Sequence, residues 1–266
     1  MKVISVTNQK GGVGKTTTAI NLSACLALSG RRVLVIDIDP QGNATSGLGV
    51  TLSPGQKGTY ELLIGNASLR EVIYPTAIET LKIIPASVNL SGAEIELVQE
   101  KDREKKLKNV LAGAELDFEF VIIDCPPSLG LLTLNAFAAS NSALIPMQCE
   151  YFSLQGLSHL LKTFKLVKQS INPGLSVEGI VITMYDGRTV LAGQVREHME
   201  KYFKDLLLTT TIPRNIRLSE APSHGKPIVL YDNRSRGSDA YVELAKEIIA
   251  RSKVNGVKTS LEEKAI

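Results

Sequence analysis

Two hydrophobic periods alternate along the chain. Short, largely apolar runs at Val3 to Val6, Val33 to Ile36, Leu81 to Pro85, Phe120 to Ile123, Ala143 to Met147, Val177 to Met184 and Leu206 to Ile212 fit strands buried on both faces. Between them, apolar positions recur at helical spacing. Thr16 to Ser29 carries Ala19, Leu22, Leu26 and Ala27 on one side, with Gly30 as its stop. Ser153 to Ser170 carries Leu154, Leu157, Leu160, Leu161, Phe164 and Val167, and further helices are predicted at Glu94 to Leu111, Val195 to Phe203 and Asp239 to Arg251. Strand alternating with helix predicts an α/β fold: a mostly parallel, doubly wound sheet with helices on both faces. Thr45 to Asn66 is glycine-rich and reads as a loop excursion with one short helix at Tyr60 to Leu63. A single domain is expected over residues 1–251, and the polar stretch 252–266 reads as a disordered tail.

The chemistry concentrates where strands end. After the first run comes Lys10-Gly11-Gly12-Val13-Gly14-Lys15-Thr16-Thr17, and then a helix. Strand, glycine loop and helix in that order make a phosphate cradle: glycines let backbone N–H groups turn toward an anion, and the helix adds the positive end of its dipole. Lys15 is placed to meet the β- and γ-phosphates of a nucleotide, and the Thr16 hydroxyl to meet Mg²⁺. The general P-loop pattern would put its first glycine at Gln9; the chain has instead a second lysine, Lys10. A dinucleotide fingerprint would need a glycine at Thr17 and fails. The second strand ends at Asp37, Ile38 and Asp39, and Asp39 is placed to orient a water or to hold Mg²⁺ through one. Asp124 closes the Phe120 run, where P-loop proteins carry the acid that steadies Mg²⁺ and its waters.

Composition narrows the setting. With 266 residues, 44% of them hydrophobic, one large core is within reach. The net charge of +3 is too mild to announce a nucleic-acid binder, but Gly187 to Arg236 alone holds nine Lys/Arg against five Asp/Glu. Cys25, Cys125 and Cys149 are odd in number and far apart, which suits a reducing cytoplasm and small buried roles. No apolar run approaches the ~18 residues a bilayer requires and no leader pattern opens the chain, so no membrane association is expected.

Four strings carry a family resemblance: Lys10 to Thr17 as K-G-G-x-G-K-[ST], Asp37 to Asn43 as D-x-D-P-Q-G-N, Asp124 to Pro127 as D-x-P-P, and Pro213 to Pro222 as P-R-N-x-R-L-S-E-A-P. Together they resemble the ParA/MinD family of deviant Walker A P-loop ATPases, and within it the chromosome-partitioning ParA (Soj) branch, over nearly the whole chain. The resemblance implies ATP and Mg²⁺ as cofactors and a nucleotide cradle of Lys10, Gly11, Gly12, Val13, Gly14, Lys15, Thr16 and Thr17, with Pro213 and Asn215 at the adenine. It implies Lys10, Lys15 and Asp39 as catalytic, and Thr16, Asp39 and Asp124 toward the metal. Lys10 would act across a nucleotide-sandwich homodimer, and Glu150 would touch the partner subunit or its ribose. Arg188 and Arg217 would bind non-specific double-stranded DNA, with Arg214, Lys226, Arg234 and Arg236 of the same basic stretch as helpers, and a ParB-like protein would be the partner at the nucleoid, hydrolysis being weak without it. The alternative is a MinD-like membrane-associated positioning ATPase, against which stands a C-terminal stretch whose apolar residues are only Val257, Leu261, Ala265 and Ile266, with no aromatic anchor. An iron–sulfur reductase of the nitrogenase iron-protein kind is disfavoured, because Cys125 directly follows Asp124 and Cys149 has no matching pair.

Overall fold

The computed structural model describes residues 1–113, 117–151 and 153–262, with side chains described as far as Ser252. Eight strands form one sheet: β1 (Lys2–Val6), β2 (Val33–Asp37), β3 (Tyr74–Pro75), β4 (Leu81–Ile84), β5 (Phe120–Asp124), β6 (Ser142–Gln148), β7 (Ser176–Tyr185) and β8 (Leu207–Pro213), in the order β3-β4-β2-β5-β1-β6-β7-β8. Every neighbouring pair is parallel except β3 and β4. The chain departs from β1 in one direction toward β2 and later in the other toward β6, and the crevice at such a reversal is where open α/β sheets bind ligands.

Period-two alternation splits each central strand between two cores. Ile4, Val6, Val33, Val35, Phe120 and Ile122 face α1 (Lys15–Leu28) and α11 (Arg236–Glu262), which supply Leu22, Leu26, Tyr241, Leu244 and Ile248. Val3, Leu34, Ile36, Val121 and Ile123 face the opposite layer, built from α3 (Thr59–Leu63), α4 (Leu90–Glu96), α5 (Lys106–Ala112) and α6 (Leu131–Ala139). Ala143, Ile145, Met147 and Ile180 make a third cluster with Phe164 of α7 (Ser153–Ser170) and Met199 of α8 (Val190–Tyr202). Each fully buried aliphatic side chain of this kind contributes about 1.5–3 kcal/mol of transfer free energy.

Four departures from the sequence expectation have physical causes. The helix predicted over Glu94 to Leu111 is broken into α4, two 3₁₀ turns at Leu97–Gln99 and Arg103–Lys105, and α5. Leu97 and Leu107 both enter the core while the charged run between them stays outside, so the chain reverses at Asp102 (φ 52°), a residue type that tolerates the left-handed region. Asn135 clamps that break, donating to Arg103 O at 2.8 Å and accepting from Leu107 N at 3.1 Å. The helix α6 has no sequence signal because it is buried nearly all round and so lacks an apolar stripe. The helix predicted from Val195 starts at Val190, where the Thr189 hydroxyl accepts from Ala192 N at the N-terminus. The closing helix spans Arg236–Glu262, not Asp239 to Arg251, since residues 252–262 contain no proline and one glycine to stop it; residues 263–266 of the expected tail lie outside the described residues.

Both sheet edges are closed. The strand β3 is two residues long and ends in Pro75, which has no N–H to offer. At the other edge Glu247 of α11 accepts from Thr209 N (2.9 Å), Thr210 N (3.0 Å) and Thr210 Oγ1 (2.8 Å). No described helix is long and apolar enough to cross a membrane.

After Asp39 the chain forms α2 (Asn43–Gly47) and then crosses the 221–225 turn backbone to backbone. Gly49 has φ +75°, and a Cβ there would stand 2.8 Å from Gly225 O. Gly49→Ala is expected to cost about 2–4 kcal/mol, the sum of left-handed strain and overpacking, read as a lower urea midpoint at unchanged slope. An unchanged midpoint would refute this close approach.

Candidate nucleotide site

The parallel register brings the ends of three strands level. Val6 of β1 and Asp37 of β2 are both paired with Asp124 of β5, and the loop that follows β1 runs over this edge into α1. Gly14, at φ 86°, makes the turn into the helix, a conformation that an L side chain would strain. The loop is held from behind by side chains at the ends of β6 and β7: Gln148 Nε2 donates to Gly12 O (3.1 Å) and Thr183 Oγ1 to Val13 O (2.8 Å). Asn8 fixes its beginning, donating to Pro146 O at 2.7 Å and accepting from Lys10 N at 3.0 Å. Gripping the loop by carbonyls leaves the amides of Gly12 and Gly14 without a partner among the described residues, which is what an anion cradle needs.

The two lysines of the loop go opposite ways. Lys15 is buried, donates to Lys10 O at 3.1 Å, and has its pKa lowered by desolvation, an effect opposed by the charges of Asp124 and Asp39. Lys10 instead reaches outward to an ion pair with Glu150 at the rim, both side chains being substantially exposed.

The three strand-end carboxylates differ in kind. Asp37 accepts from Thr45 N (2.8 Å), Thr45 Oγ1 (2.7 Å) and Asp39 N (3.2 Å), and burial pushes its pKa up to about 6 against those hydrogen bonds. Asp124 is fully buried and neither of its oxygens has a hydrogen-bond partner. Its pKa is raised well above the ordinary carboxylate value, by desolvation first and by Asp37 second, while the nearby Thr16 hydroxyl and Lys15 pull it down. Asp39 is largely buried; one of its oxygens accepts from Gln41 N at 3.0 Å and so fixes the turn after β2.

Among the described residues no three His, Cys, Asp or Glu side chains converge to cage a metal. An orphaned carboxylate beside a threonine hydroxyl, at the mouth of an anion cradle, fits a hard cation that keeps most of its waters and takes phosphate oxygens.

Behind the cradle lies a cavity of about 290 Å³ whose walls include Gly14, Thr17, Met184, Pro213, Asn215 and Tyr241. Thr17 of the cradle and the two residues expected at adenine thus share one space. Asn215 Oδ1 is already engaged by Arg217 N (2.8 Å) as the cap of α9 (Ile216–Glu220), so its NH₂ is the end left for a ligand. Met184 is held at φ 49°, one of two non-glycine residues with positive φ among the described residues. Arg188 and Arg217 lie away from this cavity, each paired with neighbouring acids. Cys25 and Cys125 are buried as expected, whereas Cys149 is only half-buried, because it sits beyond the end of β6. Residues that motif reading passes over are Asn8 and Thr183, with Gln148 marked only by its place at the end of β6, and Thr45, whose bonds to Asp37 are not visible in the D-x-D-P-Q-G-N string that Asp37 opens.

Comparison with known proteins agrees with this geometry. A family model described as an AAA domain matches residues 1–177. The sporulation initiation inhibitor protein Soj of Bacillus subtilis (strain 168) is 56% identical over 249 residues, covering 94% of this chain and 98% of that protein. The chromosome partitioning protein ParA of Myxococcus xanthus (strain DK1622) is 51% identical over 250 residues, covering 94% and 88%. A solved structure of cobyrinic acid a,c-diamide synthase from Mycobacterium smegmatis, with bound ADP and magnesium, superposes with a TM-score of 0.83 at 36% identity, covering 95% of this chain and 96% of that one. The chain belongs to the ParA/MinD family of P-loop ATPases.

Because the folded-state pKa values of Asp37 and Asp124 are raised, the stability they contribute is present below the ordinary value near 4 and is lost as pH rises through about 6 and beyond. Asp124→Asn should therefore raise the Tm of the nucleotide-free protein at pH 8 by several degrees, from about 1–3 kcal/mol of relieved desolvation. The same change should remove the magnesium-dependent part of the Tm gain on adding ADP. A nucleotide-free variant no more stable than wild type at pH 8 would overturn this account of the dyad.

Proposed function

We propose that this chain is an ATPase that closes as a nucleotide-sandwich homodimer, binds double-stranded DNA without sequence preference in that state, and partitions chromosomal or plasmid DNA with a ParB-like partner. The observation that carries the reading is the divergence of two lysines on one loop. Lys15 is buried toward Asp39 and Asp124, while Lys10 extends to the rim, where a second subunit can meet it. The names of the Soj and ParA relatives supply the partitioning role.

In this mechanism ATP lays its phosphates along the amides of Gly11 to Thr17, Lys15 neutralises the β- and γ-phosphates, and the base enters the cavity walled by Pro213 and Asn215. Thr16 and Asp124 would hold Mg²⁺, with Asp39 reaching it through water; bound there it supplies positive charge to the phosphate oxygens. Asp39 orients a water in line with the γ-phosphorus, the bond to the β-phosphate oxygen breaks, and ADP and inorganic phosphate form. Lys10 leaves Glu150 and places its ammonium in the opposite subunit's site; a cation supplied across an interface is worth ~10³–10⁵ in rate for other P-loop enzymes. Loss of the γ-phosphate removes the tie between subunits, and DNA contacts that were doubled in the dimer are halved. A cytoplasmic protein gathered on the nucleoid follows from such binding.

Asp39→Ala should lower turnover by about 10²–10⁴-fold, the range of a lost positioning group, while an ATP-bound dimer still forms. Turnover equal to wild type would remove Asp39 from the mechanism. Lys10→Ala should bind ATP and remain monomeric in light scattering behind size-exclusion chromatography, and a normal dimer would disprove action in trans.

A further inference from the structure

The arginines on the strand-end side fall into two electrostatic kinds. Arg188 is chelated by Asp186, with Nε to Oδ1 at 2.8 Å and a terminal nitrogen to Oδ2 at 2.6 Å, which pulls the Asp186 carboxyl down to about 2. Arg217 is divided between Glu220 (2.9 Å) and Asp232 (3.5 Å). Arg214 and Arg236 are exposed as well, but neither guanidinium has a hydrogen bond or ion pair among the described residues. A phosphate arriving at Arg188 must displace part of an existing bidentate pair, whereas at Arg214, which meets Asp186 only through its charge at longer range, or at Arg236 it gains a charge-assisted bond with no hydrogen bond to displace.

Arg188, Arg214 and Arg236 share a groove, which Arg217 does not line. A cleft of about 610 Å³ is walled on one side by Tyr185 to Arg188 and on the other by Pro213 to Ile216 and Arg236, so three guanidinium groups face one carboxylate, Asp186. The two walls are stitched together by the pairing of Tyr185 with Pro213 and by Arg214 N donating to Tyr185 O at 3.3 Å. Pro213, Arg214 and Asn215 also line the 290 Å³ cavity assigned to the nucleotide base, so one turn is the wall of both spaces.

We propose that Arg214 and Arg236 bind the phosphates of a DNA backbone lying in this groove, and that Arg214, standing on the wall shared with the base cavity, couples nucleotide occupancy to DNA affinity. The inference rests on the DNA-binding reading above and says which cations carry it. A base packed against Pro213 and Asn215 fixes the turn, so the Arg214 side chain loses less freedom on meeting a phosphate. The groove is concave with cations on facing walls, which suits a strand of phosphates better than the flat face of a bilayer.

The test is fluorescence anisotropy of a random-sequence duplex with wild type, Arg214→Ala, Arg214→Lys and Arg236→Ala, in ATP and in ADP, across a salt series. Each alanine variant should weaken binding by about tenfold at low salt and make the slope of log K against log salt shallower by about 1, the value of one phosphate left unneutralised; Arg214→Lys should recover most of the slope. Slopes unchanged in both alanine variants would overturn the assignment. The ratio of DNA affinities in ATP and ADP should shrink in Arg214→Ala but hold in Arg236→Ala, and equal shrinkage would overturn the coupling. A wild-type protein that binds no duplex at any salt would instead sink the DNA-binding reading itself. Sedimentation with anionic vesicles that depends on Arg214 and Arg236, in place of duplex binding, would assign the groove to a membrane and overturn the proposal.

Discussion

A fully buried carboxylate with no hydrogen bond, Asp124, stands at the end of the central strand β5, level with Asp37 on one neighbouring strand and with the entry to the glycine loop on the other. Bringing one such charge out of water costs several kcal/mol even after the surroundings relax. The nearby Lys15 offsets only part of this, since its own charge is disfavoured by the same burial. The arrangement is forced by topology: parallel strands in register deliver their last residues to one edge, and there two acids and a lysine share a space that water barely enters. A ligand that brings both an anion for Lys15 and a cation for Asp124 relieves both charges at once, and a magnesium-bound nucleotide is that combination.

Around this charge the rest of the sheet serves as a frame. Side chains from β6 and β7 hold the carbonyls of the loop, and Asp37 holds Thr45 of the segment after β2, so the cradle and the turn carrying Asp39 are both anchored to strand ends. Among the described residues, the groups at this edge left without a partner are the amides of Gly12 and Gly14, one oxygen of Asp39 and the NH₂ of Asn215, while Lys10 is held only by its exposed ion pair with Glu150.

Much of this was legible from the chain alone, for identifiable reasons. Central strands are buried on both faces and so appear as unbroken apolar runs, and motif spacing placed Lys15 at the start of α1, Asp39 just past the end of β2 and Asp124 at the end of β5, where the structure has them. The illegible parts are those in which tertiary context sets the outcome. The all-round burial of α6 erases its periodicity, the reversal at Asp102 is imposed by Leu97 and Leu107 entering one core, and the grip of Thr183 on Val13 joins residues that no local pattern connects. The partition of arginines into paired and unpaired is likewise invisible in sequence, because it depends on which acid each side chain meets.

The closed edges of the sheet limit how copies of this chain can accumulate. Pro75 ends one edge strand, and at the other the Glu247 carboxylate holds the amides of Thr209 and Thr210. Growth by adding strand to strand, the route to open-ended fibres, is thereby disfavoured at both edges. Contacts between copies of this chain are left to surfaces made of side chains, which can form and part without the cooperative backbone ladder that holds a fibre together.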